Sequence, residues 1–348
     1  MSVKYGTETK IKVFGLGGAG CNAVNHMVSE DMKGAEFFIA NTDLQVLNAS
    51  VVPNKLLLGK EITGGRGAGA DPQVGKEAAL ESEDEIRELI AGADMVFITS
   101  GMGGGTGTGA APVFARLAKE AGALTVAIVT KPFDFESPKR MRTALSGIED
   151  LKEYVDSLII VSNNKLAEQI GDIPLMDAFK EADNVLMQGI QTVTDLISVP
   201  ALMNLDFADV RNVMTASGGA LIGIGMSDGD NKAVEAAHRA INSPLLEVKI
   251  DGAKAAIINV TGGKSIKIQD AQAAADYIRE QAGSDVEVNM GIAINEELGD
   301  AVVVTVIATG FEENVASYNP FESDTNNDNN VSDATADEGL AFIKNRYE

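Results

Sequence analysis

The chain has 348 residues, enough for two domains with sizeable cores, and its 45% hydrophobic, 23% charged composition is ordinary for a globular protein. A formal net charge of −23 argues against binding DNA, RNA or anionic lipid. The same charge repels nucleotides, so a phosphate site here must rely on backbone N–H groups, helix N-termini and a metal ion rather than massed Lys and Arg. One cysteine, Cys21, precludes an internal disulfide, and two histidines, His26 and His238, leave little for a His-based metal site or catalytic triad.

In chain order, Met1 to Lys10 is polar with no signal-peptide pattern, and no apolar run reaches membrane-spanning length. The expectation is a cytosolic protein without direct membrane insertion. Ile11 to Leu16 reads as a strand, followed by a helix from about Asn22 to Ser29. Strands are predicted at Phe37 to Ala40 and Leu56 to Leu58, then a glycine-rich loop from Gly64 to Gly69 and one helix from Pro72 to Ile90. A buried strand at Met95 to Ser100 enters a second glycine-rich loop, with Pro112 expected in the first turn of the next helix and a strand at Leu124 to Thr130. Ser137-Pro138 signals a helix start, Leu158 to Ser162 a strand, and Leu175 to Ser198 a long helix stopped by Pro200. A helix near Phe207 to Met214 precedes strand-like runs at 221–225, 255–261, 286–294 and 302–308. The alternation of strand, loop and helix predicts an α/β fold with a Rossmann-type parallel sheet, a long central helix and a second mixed α/β domain. The expected divisions are 1–174, 175–200 and 201–312, then a disordered linker at 313–337, rich in Asn, Asp and Ser, and a terminal peptide at 338–348.

Two loops carry chemistry. Gly15-x-Gly17-x-x-Gly20, after a strand and before a helix, matches a dinucleotide fingerprint, in which glycines let phosphates approach the N–H groups that open the helix. A NAD- or FAD-dependent oxidoreductase is therefore an alternative, although Asp43 lies farther along than the ribose-binding acid of that fold and no hydride-transfer acid or base accompanies the fingerprint. The second loop, Gly103-Gly104-Gly105-Thr106-Gly107-Thr108-Gly109, has more glycine than a turn needs, and each glycine costs conformational entropy. Its bare backbone and two hydroxyls suit a triphosphate. The Walker A pattern is absent; Gly263-Lys264-Ser265 lacks the glycine five residues earlier.

The run from Gly101 to Gly109 resembles the signature loop of the tubulin/FtsZ family of cell-division GTPases, and the chain is similar to bacterial members over nearly its whole length. Further matching segments are Gly17 to Asn22, Asn41-Thr42-Asp43, Pro132 to Glu136, Phe179 with Glu181 to Asn184, and Asn204 to Asp209. The resemblance implies a tubulin-like GTPase that binds GTP and GDP. Gly18, Ala19 and Gly20 would hold the phosphates from one side, and Gly104, Gly105, Thr106, Gly107 and Thr108 from the other, with Gly17, Cys21, Gly103 and Gly109 in the same implied nucleotide site. Asn41 belongs to the same implied site. Ala19 stands where many members have glycine, which is tolerable only if its φ stays negative. Glu136 and Arg140 would take the ribose, whereas residues alone suggest a surface ion pair. Asn22 and Asp183 would take the base, with Phe179 stacking; a carboxylate accepts from guanine's paired N–H donors, which adenine lacks.

For Asn204, Asp206 and Asp209, the residues alone suggest a helix start capped by Asp206. The resemblance implies that this segment meets the nucleotide of the next subunit and positions the attacking water, so that hydrolysis occurs in head-to-tail filaments. Carboxylates beside a triphosphate imply Mg²⁺, with no dedicated protein metal site. A scaffold that binds nucleotide without hydrolysing it is a third possibility. The resemblance further implies a division ring at mid-cell, and membrane tethers and regulators as partners of the terminal peptide around Phe342 to Arg346, which lacks the family's usual proline.

Overall fold

The computed structural model describes residues 9–171, 174–198, 201–203, 205–242, 249–283 and 285–311. Asn204, Pro200 and the expected linker and terminal peptide lie outside the described residues. Six strands form the first part of one sheet: β1 (Ile11–Leu16), β2 (Glu36–Asn41), β3 (Asn54–Leu57), β4 (Met95–Gly101), β5 (Leu124–Lys131) and β6 (Ser157–Ser162). All pair in parallel, in the order β3-β2-β1-β4-β5-β6. Every residue of β4 except Gly101 is buried, as expected of a strand covered by helices on both faces.

One face carries α1 (Gly17–Ser29) and the long α9 (Leu175–Ser198), whose Leu186, Ile190 and Val193 pack with Val24, Met27 and Ile128. The other face carries α4 (Pro72–Glu81), α5 (Glu83–Ile90), α6 (Thr106–Glu120) and α7 (Pro138–Lys152), around Phe14, Phe97's neighbours Val96 and Ile98, and Phe114. Short helices α2 (Leu44–Ala49), α3 (Lys60–Thr63) and α8 (Asn163–Ile170) fill connections. Beyond β6 come α10 (Phe207–Met214), β7 (Gly218–Ser227), α11 (Lys232–Ile241), β8 (Ala255–Gly262), α12 (Ile268–Ala282), β9 (Glu287–Ile294) and β10 (Val302–Thr309). β7 joins β6 through only two residue pairs, then β10 pairs antiparallel with β7 and β8, and β9 closes the edge in parallel with β8. A separate core of β7, β8 and β10 side chains packs against the alanine-rich faces of α11 and α12.

Three boundaries differ from those expected. α1 begins at Gly17 rather than Asn22, because the glycine loop is itself the first helical turn. α6 begins at Thr106, which puts Pro112 in the second turn rather than the first. The expected helix from Pro72 to Ile90 breaks at Ser82, whose Oγ accepts a hydrogen bond from Gly59 N–H at 3.1 Å and whose ψ of 18° interrupts the helical path. Helices α11 and α12, not anticipated in the sequence, cover the second half of the sheet.

Candidate nucleotide site

β1 and β4 are neighbours in the sheet, and each runs through glycine into a helix at its C-terminal end. The first turns of α1 and α6 therefore lie side by side. Neither has a side chain hydrogen-bonded to its opening N–H groups. Two helix N-termini with free donors form an anion cradle that needs no Lys or Arg, which suits a chain of net charge −23. Close approach requires glycine at two points: Gly17 has φ +68°, and a Cβ on Gly107 would overlap Ser100 Oγ.

Gly18 and Gly104 are different. Neither has positive φ, and a Cβ at either would meet nothing within 4 Å. Nothing inside the chain demands glycine there, which is the expected mark of backbone kept bare for a ligand. Ala19 lies within α1 and is absent from the positive-φ residues, so its methyl is unstrained; it occupies the space that a side chain at Gly101 would fill. The Cys21 side chain turns into the core, within 3.8 Å of the Gly15 and Ala40 carbonyls, and burial pushes its thiol up to about 12. It offers the site only backbone. Asn41 is buried with its amide on Cys21 Sγ, and its Oδ1 accepts from Asp43 N–H, so it shapes the loop.

Beside the cradle opens a cavity of about 110 Å³ that brings together Ala19 and Asn22 of α1, Glu136, Arg140 of α7, and Phe179 and Asp183 of α9. Larger grooves exist, about 510 Å³ between α4, α6 and α7 and about 430 Å³ between α9 and the β7–β10 half of the sheet. The small one is the nucleotide candidate because it adjoins the open helix ends and gathers Asn22, Glu136, Arg140, Phe179 and Asp183. Glu136 accepts from Phe133 N–H at 3.0 Å and pairs with Arg140 Nη1 at 3.0 Å, so the i,i+4 ion pair exists and forms part of the wall. Phe179, 41% exposed, stands edge-on to Phe133 with centroids 5.3 Å apart. Desolvation raises the Asp183 carboxyl to about 6, opposed by the charge of His26.

Two contributors escaped the sequence reading. Asn163, the first residue of α8, is 5% exposed, lines the cavity, and its Oδ1 has no hydrogen-bond partner. A buried unpaired carbonyl oxygen costs free energy unless a ligand supplies the donor. The loop Gly64 to Gly69, read only as a loop, reaches the cradle: Gly67 N–H donates to Thr42 O at 3.0 Å, Thr42 and Thr106 hydroxyls are bonded at 2.7 Å, and a Cβ on Gly105 would meet Ala68 Cβ at 2.9 Å. Glycine spacing in that loop was the available signal.

Asp206 and Asp209 are not part of this cavity. Asp209 N–H donates to Asp206 Oδ1 and Asp206 N–H to Asp209 Oδ2, both at 3.0 Å, forming a reciprocal cap at the start of α10. Arg211 of the same helix donates to the Gly122 carbonyl at 2.7 Å, just ahead of β5. The pair thus stands at the end of the parallel sheet opposite the glycine loops, with Asp206 exposed.

A family profile described as the Tubulin/FtsZ family, GTPase domain, matches residues 10–171, and one described as the FtsZ family, C-terminal domain, matches residues 218–312. The chain is 44% identical to FtsZ of M. jannaschii in an empty dimer structure, over 87% of this chain and 89% of that one, with a TM-score of 0.81. The chain belongs to the tubulin/FtsZ family. A point mutant of the M. jannaschii protein gives the same identity with a TM-score of 0.82 over 92% of its chain. CetZ1 of Haloferax volcanii, a GDP-bound monomer, shares the fold at 21% identity and a TM-score of 0.77, over 88% of this chain and 95% of that one. The tubulin/FtsZ GTPase domain spans both glycine loops, so the first fingerprint belongs to a GTPase rather than to the oxidoreductase weighed above. Among the described residues, no helix is long and apolar enough to cross a membrane.

Proposed function

We propose that the chain is a cytoskeletal cell-division GTPase that hydrolyses GTP when assembled head to tail, with Asp206, Asp209 and Asn204 of one subunit completing the nucleotide site of the next. One observation carries this: the phosphate cradle opens at the C-terminal ends of β1 and β4, whereas the Asp206–Asp209 pair caps α10 at the opposite end of the sheet. A reaction needing both requires two copies, and a contact joining unlike ends repeats into a filament. Exposed apolar side chains support contacts at each end, with Phe135 67% and Leu202 76% exposed near the cavity and the α10 cap respectively. M. jannaschii FtsZ, the 44% identical relative, is described as a dimer.

Gly17 to Cys21 and Gly103 to Gly109 receive the phosphates through backbone N–H groups. Glu136 and Arg140 hold the ribose, Asn22 and Asp183 the guanine edge, and Phe179 stacks on the base; Asn41 shapes the loop beside them. Asn163 Oδ1 accepts from the base or sugar. Mg²⁺ enters with the triphosphate and offsets charge facing the acidic pair. Asp206 and Asp209 orient the attacking water, since positioning and electrostatics carry phosphoryl transfer.

The divisions 1–174, 175–200 and 201–312 then serve nucleotide binding, connection and completion of the neighbour's site. Residues 313–337 act as a leash and 338–348 as the peptide read by membrane tethers and regulators at a cytoplasmic mid-cell ring. The test is GTP turnover per subunit against protein concentration. A steep rise through the assembly threshold is expected; turnover independent of concentration would overturn the proposal. The reciprocal cap supports a second reading, in which both carboxylates serve α10 alone and the chain is a nucleotide-binding scaffold.

A further inference from the structure

β9 is the last strand of the sheet, and its outer edge presents backbone groups that need partners. Ile292 supplies them. Its carbonyl accepts from Leu202 N–H at 2.8 Å and Met203 N–H at 3.2 Å, and its N–H donates to Met203 O at 3.1 Å. Two residues farther on, the buried Leu205 packs on Gly291, where a Cβ would meet Leu205 Cδ1 at 2.9 Å and Leu205 Cγ at 3.2 Å. The next residue is Asp206. On its other side this segment borders the cleft of about 430 Å³, to which Ala201, Met203 and Leu205 contribute. The grip of β9 thus holds the segment that leads into the acidic pair.

We propose that the outer edge of β9 sets the reach of Asp206, and that Gly291 is a positioning residue for GTP hydrolysis because only a residue without a side chain lets Leu205 seat beside it. The proposal rests on the role given to Asp206 above. Little else can yield at Gly291. The other atom facing a new methyl, Asn259 Oδ1 at 2.9 Å, belongs to an amide whose Nδ2 donates to Thr261 Oγ1 at 3.2 Å. A methyl at 291 therefore presses on the Leu205 side chain, and through it on the segment that leads into Asp206. Displacements of about 1 Å in a positioning group cost up to roughly a hundredfold in rate.

The experiment compares Gly291→Ala, Asp206→Asn and wild type at saturating assembly, reading kcat per polymerised subunit, KM for GTP, GTP affinity and sedimented polymer. Expected for Gly291→Ala is a kcat loss of about tenfold or more with GTP affinity and polymer unchanged, largely restored in Gly291→Ala/Leu205→Val, which removes the overlapping methyl. Ile292→Pro is the second variant. It deletes the N–H bonded to Met203, which points away from β8, so the β8 ladder survives and the same kcat-selective loss is expected. Wild-type kcat in both Gly291→Ala and Ile292→Pro, alongside an inactive Asp206→Asn, would overturn the positioning role alone. Wild-type kcat in Asp206→Asn would instead overturn the reading beneath it.

Discussion

His26 Nε2 donates a hydrogen bond to Asn184 Oδ1 at 2.5 Å, tying α1 to α9 beside the candidate nucleotide cavity. The direction follows from the next link: Asn184 Nδ2 donates to Glu181 Oε2 at 2.8 Å, and a carboxylate can only accept, so Oδ1 faces His26 and Nε2 carries the proton. Asn22 lies one turn before His26 and Asp183 one residue before Asn184, and both line the cavity. Nucleotide release that parts α1 from α9 would break this bond. His26→Leu removes the donor and is expected to speed GDP release by roughly fivefold, corresponding to about 1 kcal/mol for one hydrogen bond. His26→Gln, which retains an N–H donor, is expected to stay near wild type. Stopped-flow release of a fluorescent GDP analogue measures both; equal rates in all three proteins would refute the latch.

Asp183 gives the site a pH dependence of defined sign. Burial raises its carboxyl from 3.8 to about 6, and the charge of His26 opposes the shift. In the base-binding role proposed for Asp183 only the ionised form accepts from both edge donors of guanine, so affinity for GDP is expected to be level above pH 7 and to fall as pH drops through 6. Well below 6 the slope approaches tenfold per pH unit. The nucleotide-free fold behaves oppositely with respect to this group. Its raised pKa means that the folded chain holds the proton more tightly than the unfolded one, so the contribution is full below about pH 4 and is lost as pH rises through 6. Calorimetric titration with GDP between pH 5 and 8 in buffers of differing ionisation enthalpy reads the linked proton. In Asp183→Asn the pH-dependent step disappears and guanine affinity is low throughout.

Gly104 separates ligand from fold. Since a Cβ there touches no protein atom and φ is not positive, Gly104→Ala is expected to leave thermal stability essentially unchanged. On the proposed reading the methyl meets bound phosphate, and GTP affinity is expected to drop at least tenfold. Gly107→Ala is the contrast, because its Cβ overlaps Ser100 Oγ and crowds the Leu16 carbonyl at 3.1 Å, which lowers stability and binding together. Thermal denaturation with and without GDP distinguishes the two. Full GTP affinity in Gly104→Ala would remove Gly104 from the phosphate cradle.

Much of this was legible in the residues. Strands β1, β4 and β5 are largely apolar runs that lead into glycine or a polar residue, and α9 spaces its apolar residues at helical intervals, so both announced themselves. Helices α11 and α12 did not, because their buried faces are largely alanine, with Ala233, Ala236, Ala237 and Ala240 in one and Ala271, Ala274 and Ala275 in the other. A methyl stripe barely registers as apolar periodicity. The break at Ser82 depends on a partner 23 residues away, Gly59, which local pattern does not carry. Asn163 was invisible for a related reason: its significance lies in a missing partner, known only once the surrounding side chains are placed.

The capping box at Asp206 and Asp209 changes how the proposed catalytic role must be tested. Asp206→Ala removes the cap as well as the carboxylate, at a cost of about 1 kcal/mol in helix stability, and a drop in turnover would then have two explanations. Asparagine caps about as well as aspartate, and its Oδ1 can still accept from Asp209 N–H, now 3.0 Å from the Asp206 carboxylate. Asp206→Asn therefore keeps α10 and the Arg211–Gly122 contact while deleting the charge proposed to face the neighbour's nucleotide. Thermal stability within about 0.5 kcal/mol of wild type is expected, with intact GTP binding and filaments that accumulate because hydrolysis falls by about a hundredfold, the scale on which loss of one transition-state-stabilising group is felt elsewhere. Phosphate release alongside sedimentation reads this directly. Wild-type turnover in that variant would leave the carboxylate with the cap as its whole purpose and would overturn its role in completing the neighbour's site.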